Sequence, residues 1–354
     1  MKKSFSFIHT ADLHQGYNFS KQKWLRGVKQ RSDDFLNNFK IIIERSLKKD
    51  IDFLVIAGDV FDRSHPPRII RQIVIDQLIK VSKLKPVILI PGNHDKSNFP
   101  KGLLFIHPNI NIYNKPTIDS FIINNCSISV TAIPFIRNNK LDFISNFIVD
   151  NKIHDKYDFR LLVLHELMES CKVGVINFVF EKYMKDVVPI ELVEKRFDYV
   201  ALGHVHKYQK IASNSTAIYY SGSIERTSVV EREEEKGYLI SKVEISDTES
   251  FAKIRTSFNP LPTRLIHYNT INSLKELDIE NYIKFLKEMI VNESKPAIII
   301  IKLVIFDDYE QYKNLKSFLQ ILKKEKNIFD YSITSPNFAF KLKKFELSKS
   351  KDMS

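Results

Sequence analysis

A chain of 354 residues with 44% hydrophobic and 27% charged residues has a globular composition but exceeds the ~250–300 residues at which single cores stop growing, so one large and one small domain are expected. Its net charge of +12 suits a polyanionic partner such as nucleic acid, although a Lys-, Ile- and Asn-rich composition alone would give the same excess. Only Cys126 and Cys171 are present, which excludes a disulfide framework and a zinc site of the cysteine type.

The opening MKKSFSFIHTAD reaches Asp12 before a signal-peptide core can form, so a cytoplasmic location is expected. Short β-rich runs then alternate with longer amphipathic stretches. Residues 4–10, 52–59, 86–92, 159–165 and 198–204 read as strands; 21–49 and 67–84 repeat apolar residues at helical spacing. Residues 117–134, with Asn124 and Asn125 at the centre, read as a hairpin. TAIYYSGS and EKGYLISKVEI add further strands. The fold class expected is α/β, a sandwich of mixed sheets flanked by helices.

Two prolines in NPLP, residues 259–262, disfavour continuous helix or central strand, and divide a domain at 1–258 from a small α/β domain at 259–340. The order expected in the second is strand (263–269), helix (273–291), strand (297–305), helix (309–325) and strand (328–334). The central run AIIIIKLVIF is β-branched and broken by Lys302, far below the length of a membrane span. A basic, frayed tail is expected at 341–354.

At each of the five large-domain strands an apolar run ends and metal-type ligands follow: Asp12 and His14 in HTADLH, Asp59 and Asp62 in IAGDVFD, Asn93 and His94 in IPGNHD, His165 in LVLHE, His204 and His206 in ALGHVH. Ligands of α/β sheets gather outside the carboxyl ends of strands, so these five ends can meet in one crevice. If the backbone stays extended, a spacing of two places Asp12 with His14, and His204 with His206, on one side. Of only nine glycines, five (Gly16, Gly58, Gly92, Gly203 and Gly222) lie in or beside these motifs, where the backbone must turn or approach something closely.

The ordered set D-x-H, G-D-x-x-D, G-N-H-D, a lone histidine after a strand and G-H-x-H resembles the calcineurin-like metallophosphoesterases. YYSGSIERTSVVEREEEKGYLI, with Y-x-G-S-x-E-R before E-K-G, is similar to the DNA-repair nuclease branch, the SbcD/Mre11 family. The resemblance implies two divalent metal ions, with Asp12, His14, Asp59 and His206 around one, and Asp59, Asn93, His165 and His204 around the other. Asp59 would bridge. Imidazole, carboxylate and amide oxygen together suit Mn²⁺ or Fe²⁺, and Mn²⁺ is the expected metal. His94 resembles the residue that stabilises developing charge or protonates the leaving group. Also implied are exonuclease action on duplex DNA ends, endonuclease action on single strands, a homodimer, and an SbcC/Rad50-like ATPase partner. The small second domain would be the capping domain.

Each motif has a plainer reading. A lone Asp12 or Asp59 is commonly a turn or cap residue, and Asp95 is kept at that reading; Asp62 is a candidate carboxylate behind a histidine. His9 is taken as structural. The basic run KQKWLRGVKQR offers Lys21, Lys23 and Arg26 as candidate DNA contacts, against the alternative of a solvated helix face with Trp24 in the core. Arg226, inside the Y-x-G-S-x-E-R segment, is a candidate for a structural or phosphate-positioning role. Two rival functions stand beside the nuclease: a phosphatase or small-molecule phosphodiesterase of the same superfamily, and a non-catalytic scaffold. No two glycines stand five apart before Lys and Ser or Thr, so a P-loop is absent and any ATP site belongs to a partner.

Overall fold

The computed structural model describes residues 3–26, 29–95, 107–151, 156–174, 176–182, 184–246, 252–291 and 295–335. The tail expected at 341–354 and the side chain of Trp24 lie outside the described residues. Two compact units are resolved, Met1–Thr263 and Arg264–Ser354.

The first unit opens with β1 (Lys3–Thr10), a short α1 (Lys21–Leu25) and α2 (Arg31–Ser46). The single helix expected over 21–49 is therefore two. Gln30 breaks the run in extended backbone, φ −129°, and its N–H donates to Asp33 Oδ2 at 3.2 Å, half of a capping box that starts α2 afresh. β2 (Phe53–Ala57), α3 (Arg68–Ser82), β3 (Val87–Ile90) and β4 (Ile110–Ile112) follow. β5 (Thr117–Ile123) and β6 (Cys126–Ile133) form the hairpin, turned at Asn124 and Asn125 with φ of 48° and 63°, the left-handed pair that a two-residue turn needs. The unit continues through α4 (Lys140–Asp150), β7 (Phe159–His165), a ribbon of β8 (Lys172–Val173) and β9 (Phe178–Val179), and α5 (Ile190–Val193). It closes with β10 (Tyr199–Gly203), β11 (Gln209–Ile211), β12 (Ala217–Tyr220), β13 (Gly237–Ile245) and β14 (Lys253–Pro260).

These strands make two six-stranded mixed sheets, ordered β14-β13-β1-β2-β3-β4 and β11-β12-β10-β7-β6-β5. Strand alternation explains how the layers stack. On β2, Phe53, Val55 and Ala57 point into a core shared with Ile128, Phe159, Leu161 and Tyr199 of the other sheet. Leu54 and Ile56 point the opposite way, onto Phe35, Phe39 and Ile42 of α2 and Val74 and Leu78 of α3. A third core packs β7 and β10 on α4 through Leu162, Leu164, Val200, Ile144 and Ile148. Strands buried on both faces read as continuous apolar runs, and the result is a sandwich of mixed sheets flanked by helices. β1, β2 and β3 are mutually parallel in one sheet, and β7 and β10 in the other. His9 ties the sheets together, with its ring nitrogens 3.2 Å from Tyr199 Oη and from the Leu202 carbonyl. Cys126 and Cys171 are buried free thiols.

The expected division at residue 259 falls inside β14, an edge strand that ends at Pro260, where a missing N–H is tolerated. The second unit holds β15 (Ile266–Ser273), α6 (Ile279–Val291), β16 (Ala297–Ile305), α7 (Tyr309–Lys324) and β17 (Ile328–Thr334), with the three strands parallel in the order β15-β16-β17. Ile299, Ile301 and Leu303 of β16 are buried against Leu286 of α6 and Leu315 and Leu319 of α7, while Lys302 is exposed. No helix among the described residues is long and apolar enough to cross a membrane.

Candidate metal centre

Five strand ends deliver the site. The loops after β1 and β2 are zipped together: the N–H of Asp12 donates to the Gly58 carbonyl at 3.0 Å and that of His14 to the Asp59 carbonyl at 3.0 Å. Asp12, His14, Asp59 and His204 all have left-handed backbone, with φ of 51°, 39°, 51° and 89°. Such conformations cost about 1–3 kcal/mol each in non-glycine residues and persist only where the surroundings fix them. The extended backbone expected around Asp12 and His14 is therefore not what the fold uses. Nor do the two histidines of G-H-V-H point together: His204 Nδ1 lies 2.9 Å from Asn93 Oδ1, while His206 Nε2 lies 3.0 Å from His14 Nε2. The turn at His204 sends the pair to opposite halves of the site.

One half gathers Asp12, His14 and His206, whose ligand atoms lie within 4.8 Å of one another. The other gathers Asn93, His165 and His204, with His165 Nε2 3.0 Å from Asn93 Oδ1. Asp59 Oδ2 stands between them, 3.4 Å from His165 Nε2 and 4.0 Å from His14 Nε2. Its Oδ1 accepts the main-chain N–H of His94 at 2.8 Å, and both Asp12 oxygens accept from the N–H of His204.

These residues fit a pair of cations on the chemistry of their donors. His165 Nδ1 lies 2.7 Å from the Ala57 carbonyl and His206 Nδ1 3.0 Å from Glu231 Oε1. Both oxygens can only accept, so Nδ1 of each ring carries a proton, and once the Nε2 proton is given up to a cation its lone pair faces the site. Lone pairs of Asn93 Oδ1, His165 and His204 would then crowd at ~3 Å, a spacing natural for neighbouring ligands on one ion with bonds of ~2.1 Å. Electrostatics agree. Burial opposes charge on His165, but Asp59 and Asp12 outweigh it and lift the ring to about 9. Burial, reinforced by His165, lowers His204 to about 3. A positive charge is thus stabilised between carboxylates at the centre. His14 Nδ1 is buried without a hydrogen-bond partner among the described residues, while its Nε2 faces His206.

Glycines let the strand ends close on these side chains. A Cβ on Gly58, φ +95°, would sit 2.1 Å from His165 Nδ1, and one on Gly203 would sit 1.9 Å from the Ala57 carbonyl oxygen.

His94 is exposed at the rim; its ring centroid is 4.8 Å from that of His14 and its Nδ1 is 2.8 Å from the Asp62 carbonyl. Asp62 meets His94 through that main-chain oxygen, and its carboxylate lies 3.6 Å from Arg63 and within 4.8 Å of a ring nitrogen of both His14 and His94. Asp95 is a structural turn residue: buried, it accepts from the N–H groups of Val60, Phe61 and Gly92. Gln15 is buried too and donates to the Leu13 and Phe35 carbonyls, clear of the ligands.

Lys21, Lys23 and Arg26 are exposed on and just after α1. Arg226 is different. Its guanidinium is buried and donates to the carbonyls of Glu231, Arg232 and Glu234 and to Thr263 Oγ1, so it braces the 226–236 loop and is not a surface for DNA. Sequence reasoning missed Glu231 and Lys236, which stand behind His206. Lys236 Nζ, fully buried, donates to the His206 carbonyl at 2.9 Å and lies 2.7 Å from both Glu231 Oε2 and Glu234 Oε2. Also missed was a cleft of about 830 Å³ in which Arg137, Lys140, Lys182 and Lys185 outnumber Asp142 and Asp186, with Lys140 paired to Glu166 at 2.9 Å. The segment leading into it carries Phe135, whose ring centroid is 6.0 Å from that of His204.

A model of the calcineurin-like phosphoesterase family matches residues 5–208. Among curated proteins, the chain is 30% identical over 327 residues to the SbcD subunit of the nuclease SbcCD from Staphylococcus saprophyticus, covering 82% of this chain and 80% of that one. It is 26% identical over 234 residues to DNA double-strand break repair protein Mre11 of Archaeoglobus fulgidus, covering 62% of this chain and half of that protein. Among solved structures, a dimetal phosphatase from Danio rerio aligns with 71% of this chain and 98% of that one, at 11% identity and a TM-score of 0.39, too distant a superposition to carry an argument.

Proposed function

The chain belongs to the calcineurin-like phosphoesterases and, among them, to the SbcD/Mre11 family, and from that premise we propose that it is a two-metal DNA phosphodiesterase that processes DNA ends in break repair. The observation that carries this reading is the place of Asp59 Oδ2 between the two imidazole clusters. We assign Asp12, His14, Asp59 and His206 to one divalent ion and Asp59, Asn93, His165 and His204 to the other, with Mn²⁺ the metal that the nitrogen and oxygen donors favour.

When bound, such a pair supplies positive charge for the phosphate oxygens and acidity for the attacking water. The chain's own residues do the rest. His165 and His206 are held in the tautomer that offers Nε2 to the centre. His94, anchored through Nδ1 to the Asp62 carbonyl, presents its other nitrogen at the exposed rim, where it can carry a proton to the leaving oxygen. The cleft lined by Arg137, Lys182 and Lys185 supports a polyanionic substrate larger than one phosphate group. The reading extends to exonuclease action on duplex ends and endonuclease action on single strands, in the cytoplasm, as a homodimer joined to an SbcC/Rad50-like ATPase, with the unit from Arg264 as capping domain.

The test is cleavage of labelled linear duplex DNA and of a chromogenic phosphate diester by the purified chain in Mn²⁺, in Mg²⁺ and in chelator. Metal-dependent cutting of DNA, at a catalytic efficiency far above that on the diester, is expected. Efficient diester hydrolysis with DNA untouched would favour the small-substrate phosphodiesterase, and no hydrolysis in any metal would favour the scaffold.

A further inference from the structure

We propose that Glu231, braced by Lys236, is a positioning residue that holds His206 as a metal ligand, and that this is the physical purpose of the segment from Arg226 to Lys236. The proposal rests on the reading of His206 as a ligand and goes beyond it, to a residue that touches no metal.

Four observations carry it. First, Glu231 Oε1 lies 3.0 Å from His206 Nδ1, on the ring nitrogen opposite the one that faces His14. A carboxylate can only accept there, so it fixes both the tautomer and the rotation of the imidazole about its long axis. Second, Glu231 is itself immobilised. It is buried, Thr227 Oγ1 donates to Oε1, the Thr227 N–H donates to Oε2 at 3.2 Å, and Lys236 Nζ stands 2.7 Å from Oε2. Third, Lys236 has no exposed side-chain surface and reaches the same histidine twice, through Glu231 and through the His206 carbonyl at 2.9 Å. A fully buried lysine is retained only where its charge is matched, and here the match is Glu231 with Glu234, both within 2.7 Å.

Fourth, the turn that carries Glu231 is pinned from behind. The Arg226 guanidinium gathers the carbonyls of Glu231, Arg232 and Glu234, an arrangement with no use on a surface loop but suited to holding one carboxylate at one place. His165 has a main-chain carbonyl as its anchor; His206 is instead anchored by a charged side chain at 3.0 Å, with the Thr227 hydroxyl farther off at 3.3 Å. Because the brace touches His206 and not the ligands of the other half, its removal should weaken one metal position and spare the other.

The experiment is a Mn²⁺ titration of the metal-free full chain by calorimetry, on the wild type, Glu231→Ala, His206→Ala and the double variant, with the unfolding midpoint of each measured in chelator. Loss of the brace should weaken one of two Mn²⁺ equivalents by about 10- to 100-fold and leave the other within a few-fold. On the His206→Ala background the Glu231 substitution should change metal affinity no further, because an anchor has no effect once its histidine is gone. A purely structural carboxylate would give the opposite, an effect that adds in full on that background or falls equally on both equivalents, and either result overturns the proposal, as does wild-type affinity in Glu231→Ala. If His206→Ala binds both equivalents like the wild type, the ligand reading itself fails, which the Glu231 single variant cannot produce. Should Glu231→Ala not fold, Glu231→Gln keeps the volume and an acceptor oxygen for the same cycle; there the loss should be smaller, and an equal loss at both positions counts against the brace.

Discussion

The main-chain N–H of His94 donates to Asp59 Oδ1 at 2.8 Å, so the residue proposed to move the proton and the one proposed to bridge the metals are locked together through backbone, not side chain. His94→Gln leaves that bond in place. It should retain both Mn²⁺ ions while turnover falls by about 10²–10⁴, the usual contribution of a positioned proton donor. Asp59→Ala removes the shared oxygen and should release both ions together with activity. Metal analysis beside single-turnover kinetics separates the two; metal loss in the His94 variant would place that residue among the ligands.

Steric crowding gives a second prediction. Gly58→Ala combines a left-handed backbone with a Cβ 2.1 Å from His165 Nδ1, so strain of about 1–3 kcal/mol adds to overpacking of similar size. Destabilisation of roughly 2–6 kcal/mol with loss of metal binding is expected. Gly174 is also left-handed, φ +69°, but among the described residues beyond its chain neighbours no atom lies within 4 Å of the position an added methyl group would take; Gly174→Ala should lose only about 1 kcal/mol and keep its metals. Urea unfolding of both variants, with metal analysis, compares them. Equal effects would mean that the approach of His165 to Gly58 does not constrain the site.

Much of the centre was legible because its donors sit at strand ends, where an apolar run stops and a polar cluster begins, and because both-face burial makes those strands conspicuous. Asp12, His14, Asp59, Asn93, His165, His204 and His206 all stand out in that pattern, but so do Asp62 and His94, and it is the family resemblance that separates the proposed ligands from them. What was not legible is how they turn. Left-handed backbone at Asp12, His14, Asp59 and His204 follows from the loops packing against one another, which no local spacing encodes. Glu231 and Lys236 were hidden for another reason: VEREEEKG has the look of a solvated charge run, and only the fold reveals which of its acids faces inward. Arg226 likewise reads as a cation for phosphate until its carbonyl partners are seen. The division of the expected 21–49 helix was signalled by Gln30 and Asp33, a capping pair inside an otherwise periodic run.

His9 gives a prediction about pH. Burial, opposed by the contact to the Leu202 carbonyl, lowers its pKa from 6.5 to about 3. Between those values the unfolded chain binds the proton and the folded one does not, so the contribution of a neutral His9 is fully present above pH 6.5 and is lost as pH falls toward 3. In His9→Gln the replaced side chain does not titrate. The stability advantage of wild type over His9→Gln, measured by urea unfolding in chelator, should therefore shrink by about 1–2 kcal/mol between pH 7 and pH 5. Other titrating groups are common to both proteins and cancel in the comparison. A difference that stays constant with pH would show that His9 is not held neutral.

The final prediction separates a nucleic-acid enzyme from a small-substrate one. Arg137, Lys182 and Lys185 line a cleft whose first lining residue follows Phe135 by two positions in the chain, and phosphates bound there would release counterions, so log affinity for duplex DNA should fall linearly with log salt at about −0.9 per phosphate contacted. Removing one of these charges should reduce that slope by about one and weaken binding without regard to sequence. Arg137→Ala and Lys185→Ala are the variants of choice, since Lys182 is also paired with Glu191 at 2.5 Å. Neither substitution touches a proposed ligand, so hydrolysis of a chromogenic diester, which fills only the metal centre, should stay at its wild-type rate while DNA cleavage at subsaturating substrate drops several-fold. A salt-independent affinity, or variants whose DNA and diester rates fall in parallel, would remove the cleft from the path of the substrate.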